Sequence, residues 1–172
     1  MKPSRFQWLA GVIYAHPEHK VVGRTRLQKT VLLLQRLGLP TDYSYMLHFY
    51  GPYSDGLHAE ILLLKQMELV AEECQISASG APYYIVKATE SAVLPDVEKF
   101  KPVIEKMNRA DPVVLELAAT YDSFRSTGSN HDDSLTRLRH KKGSKCEDGR
   151  QEKALLLLQD LGLLTDMFVS AA

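Results

Sequence analysis

TDYSYMLHFYGPYSDGL, residues 41–57, decides how this chain folds. Tyr43, Tyr45, Leu47 and Phe49 alternate with Ser44, Met46, His48 and Tyr50, the two-residue period of a strand. Gly51-Pro52 predicts a reversal that ends the strand, because proline has no N–H to give a ladder. Ser54 then carries the side chain of a helix N-cap, and Asp55 sits where the positive end of a helix favours an acid. Strand, corner and capped helix are the expected order.

Upstream, Trp8, Leu9, Val12, Ile13 and Ala15 make a helical stripe over 4–15, which HPEHK and Gly23 break. Thr25 to Gln28 reads as a capping box for a second helix, with Leu27, Val31, Leu34 and Leu37 on one face. Gly38 and Pro40 stop it. Downstream, Leu57, Ile61 and Leu64 form the buried face of the helix that Ser54 opens. LVAEECQIS and PYYIVKAT are two β-like runs joined by Ala78-Ser79-Gly80-Ala81, a hairpin pattern. Helix, helix, strand, helix, hairpin is close to the order of a winged helix. One departure is plain: a strand and HFYGP lie where a short turn ordinarily joins the two helices.

The second half is helical. Val97, Phe100, Ile104 and Met107 recur at helical spacing, with Pro102 predicting a kink or a split. Asp111-Pro112 is an N-cap followed by proline at the first turn, before the face of Val114, Leu117, Ala118 and Tyr121. STGSNHDD reads as a loop, Leu135 and Leu138 mark a short helix, and KKGSKCEDGR is a polar, mobile connection. Ala154, Leu158 and Leu161 belong to a last helix ending at Gly162. The expected fold is mainly α with a small antiparallel β component (α+β). A winged-helix-like domain covers 1–90 and a helical C-terminal region covers 91–172, packed on it as one compact unit. KTVLLLQRLGLPTD (29–42) and KALLLLQDLGLLTD (153–166) agree at ten of fourteen positions. Their flanks share nothing more, so the echo reads as convergence on a leucine-rich helix closed by Leu-Gly-Leu.

A chain of 172 residues with 45% hydrophobic and 24% charged content buries a core without staples. Two cysteines, far apart and outside metal-ligand spacing, fit a reducing compartment. The N-terminal stretch reads as an amphipathic helix, not a signal peptide, and no apolar run approaches the roughly 20 residues of a membrane span. A soluble, cytoplasmic protein is expected, with no membrane association.

No nucleophile elbow, P-loop, dinucleotide fingerprint or zinc motif appears. His16 and His19 read as a polar turn, and His48 and His58 have only Asp55 near them as a third ligand. Cys74 reads as a buried thiol in a strand, and Cys146 as a thiol whose neighbours Lys141, Lys142 and Lys145 favour the thiolate. No base accompanies it. No catalytic residue, metal or cofactor is expected, and the chain is not read as an enzyme.

Charge totals balance at 21 Lys+Arg against 21 Asp+Glu, but the distribution does not. From Lys2 to Arg36 the bases Lys2, Arg5, Lys20, Arg24, Arg26, Lys29 and Arg36 face one acid, Glu18. RLRHKKGSK (137–145) is a second basic run. Lys20, Arg24, Arg26, Arg137, Arg139, Lys141 and Lys142 are therefore candidate phosphate-binding residues. Against this, the helix after Pro52 offers Asp55, His58, Glu60 and Lys65, and the hairpin brings Glu72 and Glu73 with a neutral tip. Bases are mostly read by Arg, Lys, Asn and Gln. His48, Tyr50 and Tyr53 with Arg24, Arg26 and Lys29 make a mixed aromatic and basic patch, the composition in which interface energy concentrates.

GRTRLQKTVLLLQRLG (23–38), HFYGPYSDGL (48–57) and the helix ending in Met67-Glu68-Leu69-Val70 resemble the YwgA-like bacterial and archaeal proteins, for which no activity is established. More distantly they resemble the Panacea-type antitoxin domain. LELAATYDSF (115–124) and KALLLLQDLGLL extend the likeness more weakly. The recurring marks are the Leu27-Gln28-Lys29 helix and the turn from Tyr50 to Ser54. The resemblance implies a winged-helix-like core with a helical C-terminal part, and, from the Panacea side, binding and neutralising a partner toxin. The expected function is a non-enzymatic protein-binding regulator, antitoxin-like or an accessory of a host-defence system. The alternative is a winged-helix DNA-binding transcriptional regulator. Neither reading fixes the oligomeric state.

Overall fold

Ser4 opens the first helix of the computed structural model, which describes residues 3–89 and 95–164. The Ser4 hydroxyl accepts from the Gln7 N–H while the Gln7 side chain takes the Ser4 N–H at 2.8 Å, so α1 runs Arg5–Ala15. The box expected at Thr25 is absent. Helix α2 (Arg24–Arg36) starts from Gly23, at φ 98°, without a side-chain cap. Gln28 lies inside the protein instead, where its amide takes the Ser54 N–H at 2.9 Å and donates to the Ser54 carbonyl at 3.0 Å. Thr25 lies inside the helix, past its Gly23 N-cap, and the Gln28 that would complete the box is 2% exposed.

Between these helices lies β1 (Lys20–Val22), where the sequence indicated only a break. Three residues show no period; pairing alone makes them a strand. The predicted long strand over 43–50 is also reduced. β2 (Met46–His48) pairs antiparallel with β3 (Gly51–Tyr53), and Phe49-Tyr50 forms the tip. Gly51-Pro52 therefore lies within a strand and does not end one. Pro52 stands opposite Leu47 in a ribbon of only two strands, whose open edge tolerates a residue with no N–H. Tyr43 is buried and Tyr45 half-buried, as alternation required, but Leu47 and Phe49 remain exposed.

Ser54 caps α3 (Asp55–Gln66) by accepting from the Leu57 N–H at 3.2 Å, and Leu57, Ile61 and Leu64 are its buried residues as expected. β4 (Val70–Ile76) and β5 (Pro82–Ala88) form the second hairpin, and β1 joins β5 to complete an antiparallel sheet of order β1-β5-β4. Cys74 is exposed on β4, not buried.

Pro102 splits the next segment and does not kink it. A 3-10 turn over Glu98–Phe100 leads into α4 (Lys101–Arg109), with the proline in the first turn, where its missing N–H costs nothing. The Asp111 carboxylate accepts from the Val113 and Val114 N–H groups at 2.8 and 3.2 Å and starts α5 (Pro112–Ser126). Helix α6 (His131–Lys142) takes in the beginning of the run expected to be a mobile connection, Gly143–Cys146 makes a 3-10 turn, and α7 (Arg150–Asp160) follows.

The architecture is mainly helical with a small antiparallel β component. Helix α5 packs against α2, β3, α6 and α7. One hydrophobic cluster accordingly runs from Leu9, Leu27 and Leu57 to Ile104, Leu117 and Leu158. The division expected at 90/91 falls outside the described residues, as does Lys2. Among the described residues no helix is long and apolar enough to cross a membrane.

Candidate functional site

The tightest meeting of elements is at Gly51. Its φ is 87°, and a Cβ there would stand 2.8 Å from Thr120 Oγ1 and 3.4 Å from both Glu116 Cγ and Lys29 Cε. Only glycine lets the hairpin backbone lie this close to α2 and α5. Three lysines and one carboxylate occupy the space beneath. Lys29, 2% exposed, donates from Nζ to the Pro52 carbonyl at 2.6 Å. Lys142 reaches Glu116 Oε1 at 2.6 Å and the Phe49 carbonyl at 2.9 Å. Lys145 bonds both Glu116 oxygens at 3.0 Å, and its Nζ lies 5.1 Å from the centre of the Tyr50 ring. Burial pushes the Lys29 ammonium down to about 8, with nearby Glu116 opposing the fall, and burial also lowers Lys142. The arrangement ties the tip of the hairpin to α5 and α6 through charge-assisted bonds.

Above this floor opens a cleft of about 390 Å³. Val22, Tyr50, Tyr83, Val113 and Leu115 are among its apolar and aromatic lining, and Lys29, Glu116 and Lys145 among its charged lining. Sequence reasoning had named Arg26, Lys29 and Tyr50, which all line the cleft, but did not place Glu116, Lys145 or Tyr83 in the site. A signal existed for Glu116: it is the one charged residue within VVLELAATY.

The other residues singled out from the sequence are more dispersed. Arg24 makes a two-pronged contact with Glu72 at 2.6 and 2.7 Å, and its guanidinium stacks 3.6 Å above the Tyr84 ring. Those bonds hold the Glu72 carboxyl down at about 2. Arg26 donates to the carbonyls of Met107, Asn108 and Ala110, closing the end of α4. His48 and His58 converge on Tyr53 from either side, with ring centres 5.2 and 6.3 Å from the tyrosine ring. Among the described residues no group of His, Cys, Asp and Glu could hold a metal. His16 is buried, not solvated in a turn; its Nδ1 lies 2.7 Å from the Val12 carbonyl, and burial pushes it down to about 4.

Of the phosphate-binding candidates, Lys20 pairs with Glu18, and Arg137 reaches Ser129 at 2.6 Å while lying 4.2 Å from the Phe124 ring centre. Arg139 donates to Gln151 at 2.8 Å, Lys141 is exposed, and Lys142 is buried under the hairpin. Burial raises the Cys146 thiol against the pull of Arg139 and Lys142, so the expected thiolate is not favoured.

The hairpin above the charged floor is apolar. Met46 is 66%, Phe49 79% and Tyr50 57% exposed, with Leu47 beside them, and Phe49 meets Tyr50 edge to face at 5.0 Å. Helix α3 adds exposed Leu62, Leu63 and Met67 elsewhere.

No family model matches the chain, and no solved structure does. It is similar to the uncharacterised protein YwgA of Bacillus subtilis, with 30% identity over 106 residues, which is 59% of this chain and 64% of that protein. The match thus spans less than two thirds of the relative's length.

Proposed function

We propose that this protein is a non-enzymatic, protein-binding regulator, antitoxin-like or a host-defence accessory, carried on a winged-helix-like core. The core reading draws on the order α1, β1, α2, α3, β4, β5 with a β1-β5-β4 sheet, into which the β2–β3 hairpin is inserted. One observation carries the function: the hairpin holds Met46, Leu47, Phe49 and Tyr50 out in solvent on a base clamped by Lys142 and Glu116. A rigid, exposed aromatic ridge supplies contact area at low entropic cost to a partner. His48 and Tyr53 extend this surface, and Lys29 supports it from within through the Pro52 carbonyl, whereas Arg24 is engaged with Glu72 and Arg26 with the end of α4.

The alternative, a DNA-binding regulator, draws less support. The helix that would enter a groove, α3, exposes Asp55, Ala59, Leu62, Leu63 and, at its last position, Gln66, and Lys65 is engaged with Glu72. Phosphate contacts need uncommitted cations on one face.

Tagged protein recovered from its own host after nuclease treatment tests the proposal. A stoichiometric protein partner is expected with the wild type, and its loss with a folded Phe49→Ser/Tyr50→Ala variant. Equal recovery with both, or recovery that vanishes with nuclease, rejects the reading.

A further inference from the structure

We propose that the cleft between α2, the β2–β3 hairpin and α5 binds a small aromatic carboxylate, its anionic group on Lys145 and Lys29 and its ring between Tyr50 and Tyr83. This site shares Tyr50 with the ridge of the partner-binding reading, but its lysines lie at the base of the hairpin, and its tests leave Tyr50 unchanged.

Charge is the first argument. Lys29, Lys142 and Lys145 meet beneath the hairpin, and Glu116 is the carboxylate among them. The three lysines carry a formal surplus of two positive charges over Glu116, and Lys29 and Lys142 are held out of bulk water, where unbalanced charge is costly. Arg26 also borders the cleft, but three main-chain carbonyls take up its guanidinium. Asp111 acts on Arg26 electrostatically and leaves the lysines unbalanced. Lys29 has three N–H donors, and its hydrogen bond goes to one carbonyl. Lys145 stands at the rim, its side chain 31% exposed, and brings its ammonium to both Glu116 oxygens. An anion entering the cleft would meet donors already in place.

Shape gives the second argument. The volume of about 390 Å³ lies within the range of small-molecule sites, and the walls are Val22, Tyr50, Tyr83, Val113 and Leu115. Inorganic phosphate would leave these walls unused, and a neutral apolar compound would leave the lysines unanswered. An aromatic ring bearing a carboxylate uses both, since Tyr50 and Tyr83 both line the cleft and tyrosine rings favour aromatic contacts. A bound anion would also offset the desolvation that weakens the charge on Lys29.

Benzoate and phenylacetate are the probes, titrated into the full chain by calorimetry and by amide chemical shifts. Benzamide serves as the neutral isostere and inorganic phosphate as the bare anion. Saturable binding of either carboxylate is expected, at least tenfold tighter than benzamide and phosphate. Lys145→Gln should weaken it at least tenfold with the fold intact by circular dichroism. Lys29→Met is the deeper variant, and because it can unfold the protein, Tyr83→Ala on the opposite wall provides the second measurement, with a similar loss. No saturation with either probe, benzamide equal to benzoate, phosphate alone saturating, or a Lys145→Gln variant with unchanged affinity would each overturn the proposal.

Discussion

Helices α2 and α7 carry nearly the same text, KTVLLLQRLGLPTD and KALLLLQDLGLLTD, and end the same way. Gly38 and Gly162 adopt φ 91° and 76°, and in each case the next leucine donates back at 2.9 Å, Leu39 to Leu34 and Leu163 to Leu158. Their surroundings differ. In α2 every residue from Leu27 to Leu34 is buried, whereas in α7 Lys153 and Leu156 are exposed and Leu155 and Leu157 only half-buried. Local sequence writes the cap, because a left-handed residue and one backbone bond suffice. Burial is written elsewhere, by the sheet, α5 and the hairpin that enclose α2.

Leucine truncation should separate the two most. Leu32 and its counterpart Leu156 are 2% and 57% exposed, so Leu32→Ala should cost about 3–4 kcal/mol and Leu156→Ala within about 0.5. Equal shifts in urea denaturation would erase the distinction. The paired lysines come next. Lys29 loses its proton in the folded state near 8, against 10.5 as its ordinary value. Between those pH values the unfolded chain holds a proton that the folded chain has released, so stability rises with pH by roughly 3 kcal/mol from this group. Lys29→Met should flatten that rise and Lys153→Met should leave it, measured as denaturation midpoints across the same window.

The caps should answer alike. Gly38→Ala and Gly162→Ala meet no neighbouring atom within 4 Å, and each should lose about 1 kcal/mol to the left-handed backbone alone. A twofold disparity between them would show that context reaches even the cap. The smallest effect belongs to Thr30, whose buried hydroxyl has no partner among the described residues and whose counterpart is Ala154. Thr30→Val should raise the melting midpoint, by about 1 kcal/mol or less, because an unpaired polar atom is removed at constant shape. A fall would mean that the hydroxyl is bonded in solution.

Those contrasts show what was legible in the residues. Elements with their own period or cap could be read directly: α3 under Ser54, α5 under Asp111, the β4–β5 hairpin around Gly80. Strand β1 could not, since three residues become a strand only when β5 pairs with them. Gln28 fits a capping box by spacing and is claimed instead by Ser54, a residue 26 positions away. The candidate site was half legible for the same reason. Its aromatics stand out in one short stretch, whereas Glu116, Lys142 and Lys145 join it only through the packing of α5 and α6. In sequence those lysines look like a basic run for phosphate; in space Lys142 and Lys145 answer one carboxylate.

The bond from Lys142 to the Phe49 carbonyl spans 93 residues, which gives the molecule a timetable. At a synthesis rate of roughly 5–20 residues per second, about 5–20 seconds separate the making of the hairpin from the making of its clamp. For the greater part of that interval Glu116 has not been made, and throughout it the aromatic tip lacks the Lys142 that clamps it. The ridge is thus among the earlier surfaces to be translated and among the last to be fixed. A ribosome paused before α6 would display it untethered, open to chaperones and proteases that the finished protein does not admit.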